Sequence, residues 1–355
     1  VNKFEVIIVG GTGFGAGELL RLLLNHPNIT VNSVISSSNA NKPISSSHPH
    51  LLGLYDHLNF ISSLEEVVVQ HPENAVFICA LPHGQSAATV EKINLKFPKS
   101  RIIDLSGDLR LKDLNLHKKF YPSSELSENL RQSSVYGLPE LNFELIKQAK
   151  IISNPGCLAT AAILSLLPVS SFHSSIRICA NSSIVLNVAT GSSGAGKEPK
   201  QSTHHPVRHA NFFSYKPFEH QHEPEIQQTL TSAGLSGFTM SFVPHSLPIS
   251  RGILCATYFN LTSSITAQDI TAYYKKYYAN SPFIRVLQNT PAEIENIVGS
   301  NFCDVSVATR DNQVVVTTVI DNLVKGMAGQ AIENLNIMTG LDRMTGLRVA
   351  GLRPI

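Results

Sequence analysis

The stretch FEVIIVGGTGFGAGELLRLLLNHP, residues 4–27, opens with a β-branched run from Phe4 to Val9, breaks at a cluster of glycines and continues as a leucine-rich helix that Pro27 stops. Gly10, Gly13 and then Ala16 or Gly17 follow the strand and open the helix, so backbone N–H groups at the helix start can face a pyrophosphate with no side chain in the way. A glycine loop alone is chain punctuation; a strand before it and a helix after it make it a dinucleotide-binding turn.

Working outward, Ile29 to Ile35 reads as the next strand, followed by a Ser/Asn/Pro/His-rich loop from Ser36 to His50. Further strands follow at Ala75 to Ala80 and Arg101 to Leu105, with helical stretches between. Strands alternating with helices predict an α/β unit with a Rossmann-type, doubly wound parallel sheet. The texture changes after about Ile152. Ile184 to Val188, Thr239 to Val243, Ile253 to Leu261 and Val314 to Ile320 are longer β-rich runs, and Ile265 to Tyr278 is amphipathic. These predict an α+β domain with a mixed or antiparallel sheet. The expected division is a dinucleotide domain over 1–152, completed by a C-terminal helix within 326–355, and a catalytic and oligomerisation domain over 153–325. The helix pattern itself is GMAGQAIENLNIMTGL, Gly326 to Leu341.

The 355 residues are 43% hydrophobic and 15% charged, too apolar for a disordered chain, and the net charge of +2 gives no bulk attraction to nucleic acid or an anionic membrane. The longest apolar stretch, Ala159 to Val169, is shorter than the roughly 20 residues a membrane-spanning helix needs. Five cysteines (Cys79, Cys157, Cys179, Cys255, Cys303), an odd number with no close pair, suggest neither a disulfide framework nor a zinc knuckle. A reducing, cytoplasmic compartment is expected, with a removed organelle leader as the alternative for a chain that begins at Val1.

The end of the second strand normally carries an acid for the NAD ribose, but the first acid after Glu18 is Asp56. Ser36, Ser37 and Ser38 stand there instead with Lys42 nearby, a set suited to a 2′-phosphate, so NADP is expected. A second glycine loop, GSSGAGKE at 191–198, has the spacing of a phosphate-binding P-loop. Glu198 replaces the Ser or Thr that would hold Mg²⁺, and no helical apolar stripe follows Pro199. A loop lining the substrate site is the expectation.

The segment Ile151-Ile152-Ser153-Asn154-Pro155-Gly156-Cys157 ends a short strand in a Pro-Gly turn before the helical LATAAILSLLP, which puts Cys157 at a helix N-terminus. Helix-start N–H groups and dipole favour a thiolate and stabilise an oxyanion formed there. The other four cysteines lie in apolar or β-type runs and are expected to be packing residues. A thiolate beside a nicotinamide attacks an activated acyl group, giving a thioester for reduction, or an aldehyde, giving a hemithioacetal for oxidation. The proton donor is sought among His220, His222, Glu223 and Glu225 in EHQHEPEI. His204, His205, His209, His220 and His222 lie close in sequence but lack helix-spaced pairs with a third ligand, so no metal is expected. Arg110, just after the strand Arg101 to Leu105, and Arg251 are candidate phosphate or carboxylate clamps.

The strings GGTGFGAGELLRLL, ALPHG (80–84), DLSGDLRL (104–111), YGLPELN (136–142), SNPGCLAT (153–160), GSSGAGK, HQHEPEI (220–226), VPHSLPISRGIL (243–254), GSNFCDV (299–305) and DNLVKGMAGQAIENLNIM (321–338) occur in one order along essentially the whole chain. Together they resemble the N-acetyl-gamma-glutamyl-phosphate reductase family, related to aspartate-semialdehyde dehydrogenase. The resemblance implies NADPH-dependent reduction of an acyl phosphate to N-acetyl-glutamate semialdehyde in arginine biosynthesis, by a homodimer or homotetramer with no nucleic-acid or membrane partner. It implies Cys157 as nucleophile and His222 with Glu225 as the acid/base segment, with His220 a second candidate. Arg110, Asn154 and Arg251 are implied for substrate or phosphate. The implied cofactor positions are Gly10, Thr12, Gly13, Phe14, Gly15, Ser36, Ser38, Leu81, Pro82, Ser193, Gly194, Asn322 and Gln330. This chain has Leu158 where the family often has Tyr, and Ser37 where it often has Arg. The competing readings are the same chemistry on an aspartyl or aminoadipyl phosphate, a non-catalytic NADP sensor and a P-loop ATPase.

Overall fold

The run from Phe4 to Val9 forms β1 (Phe4–Val9), whose Val6, Ile7 and Ile8 are fully buried, as a central parallel strand covered on both faces requires. The computed structural model describes residues 3–172, 177–179 and 182–354. They fall into two units, one of Val1–Pro155 with Met327–Arg348, the other of Gly156–Gly326 with Val349–Ile355.

In the first unit β1 leads into α1 (Phe14–Leu23) and β2 (Ile29–Ile35). Then come β3 (Phe60–Ile61), β4 (Ala75–Cys79), α2 (Ser86–Lys96), β5 (Arg101–Asp104), α3 (Leu114–Phe120), α4 (Glu128–Ser133), β6 (Val135–Tyr136), α5 (Pro139–Gln148) and β7 (Ile151–Ser153). The sheet order is β3-β2-β1-β4-β5-β7-β6, with every pairing parallel. β1 has β2 on one side and β4 on the other, so the chain reverses its winding there, and the carboxyl ends of β1 and β4 border the crevice where open α/β sheets take ligands.

The second unit begins with α6 (Cys157–Ser170), followed by β8 (Ser183–Thr190), α7 (His205–Arg208), β9 (Phe213–Ser214), α8 (His222–Ser232), β10 (Thr239–Ser246) and β11 (Ile253–Asn260). It ends with α9 (Ala267–Tyr277), β12 (Ile284–Val286), β13 (Cys303–Arg310) and β14 (Gln313–Ile320). Its sheet, β12-β13-β14-β11-β8-β10-β9, is mixed: β8 and β10 run parallel, whereas β11 is antiparallel to both β8 and β14. The apolar stretch 159–169 is the heart of α6 and is buried on every side, the mark of a central core helix. Pro168 cannot donate to the carbonyl of Leu164; the Tyr278 hydroxyl donates to it instead at 2.6 Å. No helix among the described residues is long and apolar enough to cross a membrane.

Two sequence expectations need correction. A single helix does not fill the C-terminal segment: a π-helical turn, Val324–Ala328, precedes α10 (Gly329–Met338), and Gly340, at φ +73°, ends it with Leu341 N–H bonding back to Asn336 O. Beyond that turn, Val349–Ile355 goes with the second unit, where Leu352 N–H donates to Val298 O. The strand β13, CDVSVATR, also escaped the sequence reading because its outer half alternates small polar and apolar residues.

Candidate active site

Gly10 turns the chain out of β1 at φ +88°, and a Cβ there would lie 2.6 Å from Ala80 O, so only glycine fits. The N–H groups of Gly10 and Gly11 both donate to Ile35 O, at 3.1 and 2.9 Å, which sets the turn beside the end of β2. Gly13 is the N-cap of α1 and has no side-chain cap, and a Cβ built on it meets nothing within 4 Å. The glycine there therefore answers to no protein neighbour, as expected where a ligand phosphate approaches the helix start. Thr12 is partly exposed, Phe14 is 41% exposed, and a Cβ at Gly15 would meet Met327 Sδ at 2.5 Å.

At the end of β2, Ser36 Oγ lies 3.3 Å from Ser38 Oγ, Ser37 and Ser38 are exposed, and Lys42 Nζ reaches Asn39 Oδ1 at 3.3 Å. Leu81 and the exposed Pro82 follow β4; a Cβ at Gly10 would lie 3.0 Å from Leu81 Cδ2. The next helix start is closed to anions, because Asp108 accepts from the N–H groups of Gly84, Ser86 and Ala87 at 2.9 to 3.2 Å and so caps α2. Asp104 beside it is fully buried, and burial pushes its carboxyl up to about 6 against hydrogen bonds from Ser86 and Ser106.

In the second unit Cys157 is the first residue of α6 and is partly exposed. Cys79, Cys255 and Cys303 are buried, and burial pushes the Cys255 thiol up to about 12 and the Cys79 thiol well above its ordinary value. The turn before Cys157 is tied to α8: Gly156 N–H donates to Glu225 Oε1 at 2.7 Å. His222 is the first residue of the same α8, one turn from Glu225, so the histidine segment and the Cys157 turn share one hydrogen-bonded frame. On another side of Cys157, a Cβ at Gly326 would lie 2.8 Å from Cys157 Cβ; the π-helical turn presses bare backbone against the cysteine.

His220 is 6% exposed and burial, with Lys216 adding to it, lowers its pKa to about 4. Its Nδ1 accepts from His222 N–H at 3.1 Å, so the neutral ring carries its proton on Nε2. Tyr215 lies edge-on to it with ring centroids 5.8 Å apart. The Tyr215 phenol is pushed upward, mainly by burial and next by the Cys157 sulfur, with Arg208 opposing. Arg208 donates to Leu247 O and Thr190 O, each at 3.0 Å. Sequence spacing had singled out neither Tyr215 nor Arg208.

The loop 191–194 is stitched to the segment carrying Arg251: Gly191, Ser192 and Ser193 N–H groups donate to Gly252 O, Ile249 O and Ser250 O. A short 3-10 turn, Ser192–Ala195, follows Gly191 in place of the helix a P-loop requires. Among the described residues no three or more His, Cys, Asp or Glu side chains are grouped to hold a metal.

Residues 5–149 match the model of the semialdehyde dehydrogenase NAD binding domain, and residues 157–322 that of the semialdehyde dehydrogenase dimerisation domain. N-acetyl-gamma-glutamyl-phosphate reductase of Desulforamulus reducens is 38% identical over 358 residues, covering 99% of each chain. That of Bacillus subtilis is 38% identical over 355 residues, covering 99% of this chain and 100% of the relative. The chain belongs to the N-acetyl-gamma-glutamyl-phosphate reductase family. Its fold is that of aspartate semialdehyde dehydrogenase II from Vibrio cholerae, solved with ASA, at a TM-score of 0.70 and 15% identity over 96% of this chain and 99% of that one. The Candida albicans aspartate semialdehyde dehydrogenase solved with NADP gives a TM-score of 0.66 at 13% identity, over 95% of this chain and 98% of that one.

Within this family frame, four residues expected to meet ligands are engaged by the fold itself. Asn154 is fully buried, its amide donating to Met327 O at 3.2 Å and accepting from Asn334 Nδ2 at 3.1 Å. Arg110 is 5% exposed and donates to Asn154 O and Leu105 O, both at 2.8 Å, so it holds the strand-end turn. Arg251 pairs with the buried Asp321 through Nε at 3.0 Å and Nη2 at 2.9 Å. Asn322, also buried, accepts from Gly252 N–H and donates to Ser193 Oγ, each at 2.8 Å, which places the serine while Gly194 stays exposed. These side chains fix loops, through partners that residue type alone does not reveal. Gln330 differs: it is buried and donates to Gly137 O at 3.1 Å, but its Oε1 has no hydrogen-bond partner among the described residues.

Proposed function

We propose that the chain is an oxidoreductase that reduces N-acetyl-gamma-glutamyl phosphate with NADPH to N-acetyl-glutamate 5-semialdehyde and phosphate, through a thioester on Cys157, in arginine biosynthesis. The observation that carries the reading is the 2.7 Å bond from Gly156 N–H to Glu225 Oε1, which ties the helix opened by Cys157 to the helix opened by His222. The Cys157 thiolate displaces phosphate from the acyl carbon, and the N–H groups that start α6 stabilise the oxyanion formed there. The nicotinamide cofactor, when bound, supplies the hydride that reduces the thioester. The C–S bond then breaks to release the aldehyde, His222 giving its proton to the departing Cys157 sulfur, and the neutral His220 accepts the His222 backbone N–H and holds that segment in place.

For the cofactor, Gly10, Thr12, Gly13, Phe14 and Gly15 would take the pyrophosphate, with Leu81 and Pro82 beside them. Ser36 and Ser38 with Lys42, and no carboxylate at the end of β2, support NADP over NAD. The unpartnered Oε1 of Gln330 suits an amide donor such as a nicotinamide carboxamide. Dinucleotide binding is assigned to the first unit, and acyl chemistry with self-association to the second. The alternation of buried and half-buried residues along β8 leaves Val185, Asn187 and Ala189 on one face, which supports a homodimer or homotetramer built on that sheet. Five free cysteines suit a reducing, cytoplasmic setting.

Incubating the protein with the acyl phosphate and no NADPH should add one N-acetylglutamyl group to Cys157, read by mass spectrometry, and Cys157→Ser should neither be labelled nor turn over. Unlabelled Cys157 in an active enzyme overturns the covalent route. Phosphate-dependent NADP reduction with aspartate semialdehyde in preference to N-acetyl-glutamate semialdehyde overturns the substrate assignment.

A further inference from the structure

The segment HPHLLG, residues 48–53, belongs to the long loop after β2, and its first residue is buried. His48 is 4% exposed, and its Nε2 lies 2.7 Å from Gly11 O, so Nε2 carries a proton and donates. Gly11 is thus held on both sides of its Cα, its N–H by Ile35 O at 2.9 Å and its carbonyl by the imidazole. A trans peptide points its C=O and the following N–H in opposite directions. Pinning Gly11 O toward His48 therefore aims the Thr12 N–H the other way. The ring also explains Gly17, where a Cβ would come within 2.6 Å of His48 Nδ1. Asn39 Nδ2 donates to Ser47 Oγ at 2.8 Å, which joins the Ser37–Asn39 turn after β2 to the residue preceding His48.

We propose that His48 is a positioning residue of the dinucleotide site. Its imidazole sets the orientation of the Gly11–Thr12 peptide, and the Asn39–Ser47 bond couples that peptide to the turn carrying Ser37 and Ser38. The proposal rests on the reading that the glycine turn seats NADPH.

The test is titration of full-length protein with NADPH, followed by nicotinamide fluorescence, on wild type, His48→Leu, His48→Gln and Gly17→Ala, together with steady-state kinetics. Gln places an amide N–H where Nε2–H stood. His48→Leu should weaken NADPH binding about tenfold, the loss of one buried hydrogen bond, while kcat at saturating NADPH and the KM for the acyl phosphate stay within about twofold. His48→Gln should stay within about threefold of wild type. Gly17→Ala, a change that favours helix, displaces the ring and should weaken NADPH binding as well, so the idea remains testable where His48→Leu does not fold. Binding of NADPH by His48→Leu or Gly17→Ala as tight as by wild type, or by His48→Gln as weak as by His48→Leu, overturns the proposal. Wild-type protein that binds no NADPH overturns the cofactor reading, and this proposal with it.

Discussion

A cation matters to an acyl phosphate only where its charge is not already cancelled. In the second unit Arg251 spends Nε and Nη2 on one oxygen of the buried Asp321, so the pair is close to neutral as a whole. Among the described residues Arg208 donates to the carbonyls of Leu247 and Thr190, neutral dipoles that orient the guanidinium without cancelling its charge. Its field reaches Tyr215, which in turn feels the Cys157 sulfur. Arg208→Gln is therefore expected to raise the KM for the acyl phosphate about tenfold, as loss of a charge-assisted contact does, and to leave NADPH affinity within about twofold. Arg251→Gln should act chiefly through stability, because it strands the Asp321 carboxylate in the interior. Steady-state kinetics beside thermal melting separate the two; equal KM effects in both variants would refute the distinction.

The π-helical turn Val324–Ala328 brings Gly326 against Cys157. Gly326 N–H donates to Asp321 O at 2.9 Å, the five-residue spacing of a π turn, and Asp321 also accepts from Leu323 and Val324 N–H, so the backbone cannot easily retreat. Gly326→Ala would put a methyl 2.8 Å from Cys157 Cβ. The expected outcome is a fall of about tenfold in the iodoacetamide alkylation rate of Cys157 and in kcat, with a stability loss of about 1–3 kcal/mol typical of overpacking. An alkylation rate equal to wild type would show that the turn does not position the sulfur. This contact also marks the limit of what the sequence could reveal. The strand, glycine turn and helix of residues 4–27 were legible because periodicity and punctuation are local, and so was Cys157 at the start of α6. Glu225 was legible as a member of HQHEPEI, but its bond to Gly156 spans 69 residues. Nothing in spacing announces such a bond, nor the carbonyl contacts that turn Arg110 and Asn154 inward.

At the scale of the whole molecule, two buried titratable groups, His220 in the second unit and Asp104 in the first, act on stability with opposite sign. His220, in the second, has its pKa lowered from 6.5 to about 4, chiefly by burial. The unfolded chain takes up that proton first, so the stability is present above pH 6.5 and lost as pH falls through about 4, a difference of about 3 kcal/mol. Asp104, in the first, has its pKa raised from 3.8 to about 6, again chiefly by burial. Here the folded state takes the proton first, and the stability is full below pH 3.8 and lost as pH rises through about 6, by a similar amount of about 3 kcal/mol. Acidification from pH 6.5 to 4.5 should therefore loosen the second unit around His220 and tighten the first around Asp104, with His26, whose pKa burial also lowers, opposing that gain. Hydrogen exchange, corrected for its intrinsic pH dependence, should show less protection in β8 and β11 and more in β4 and β5. Asp104→Asn should abolish the gain in the first unit and leave the loss in the second. Protection that moves in the same direction in both units would mean that other groups govern the acid response.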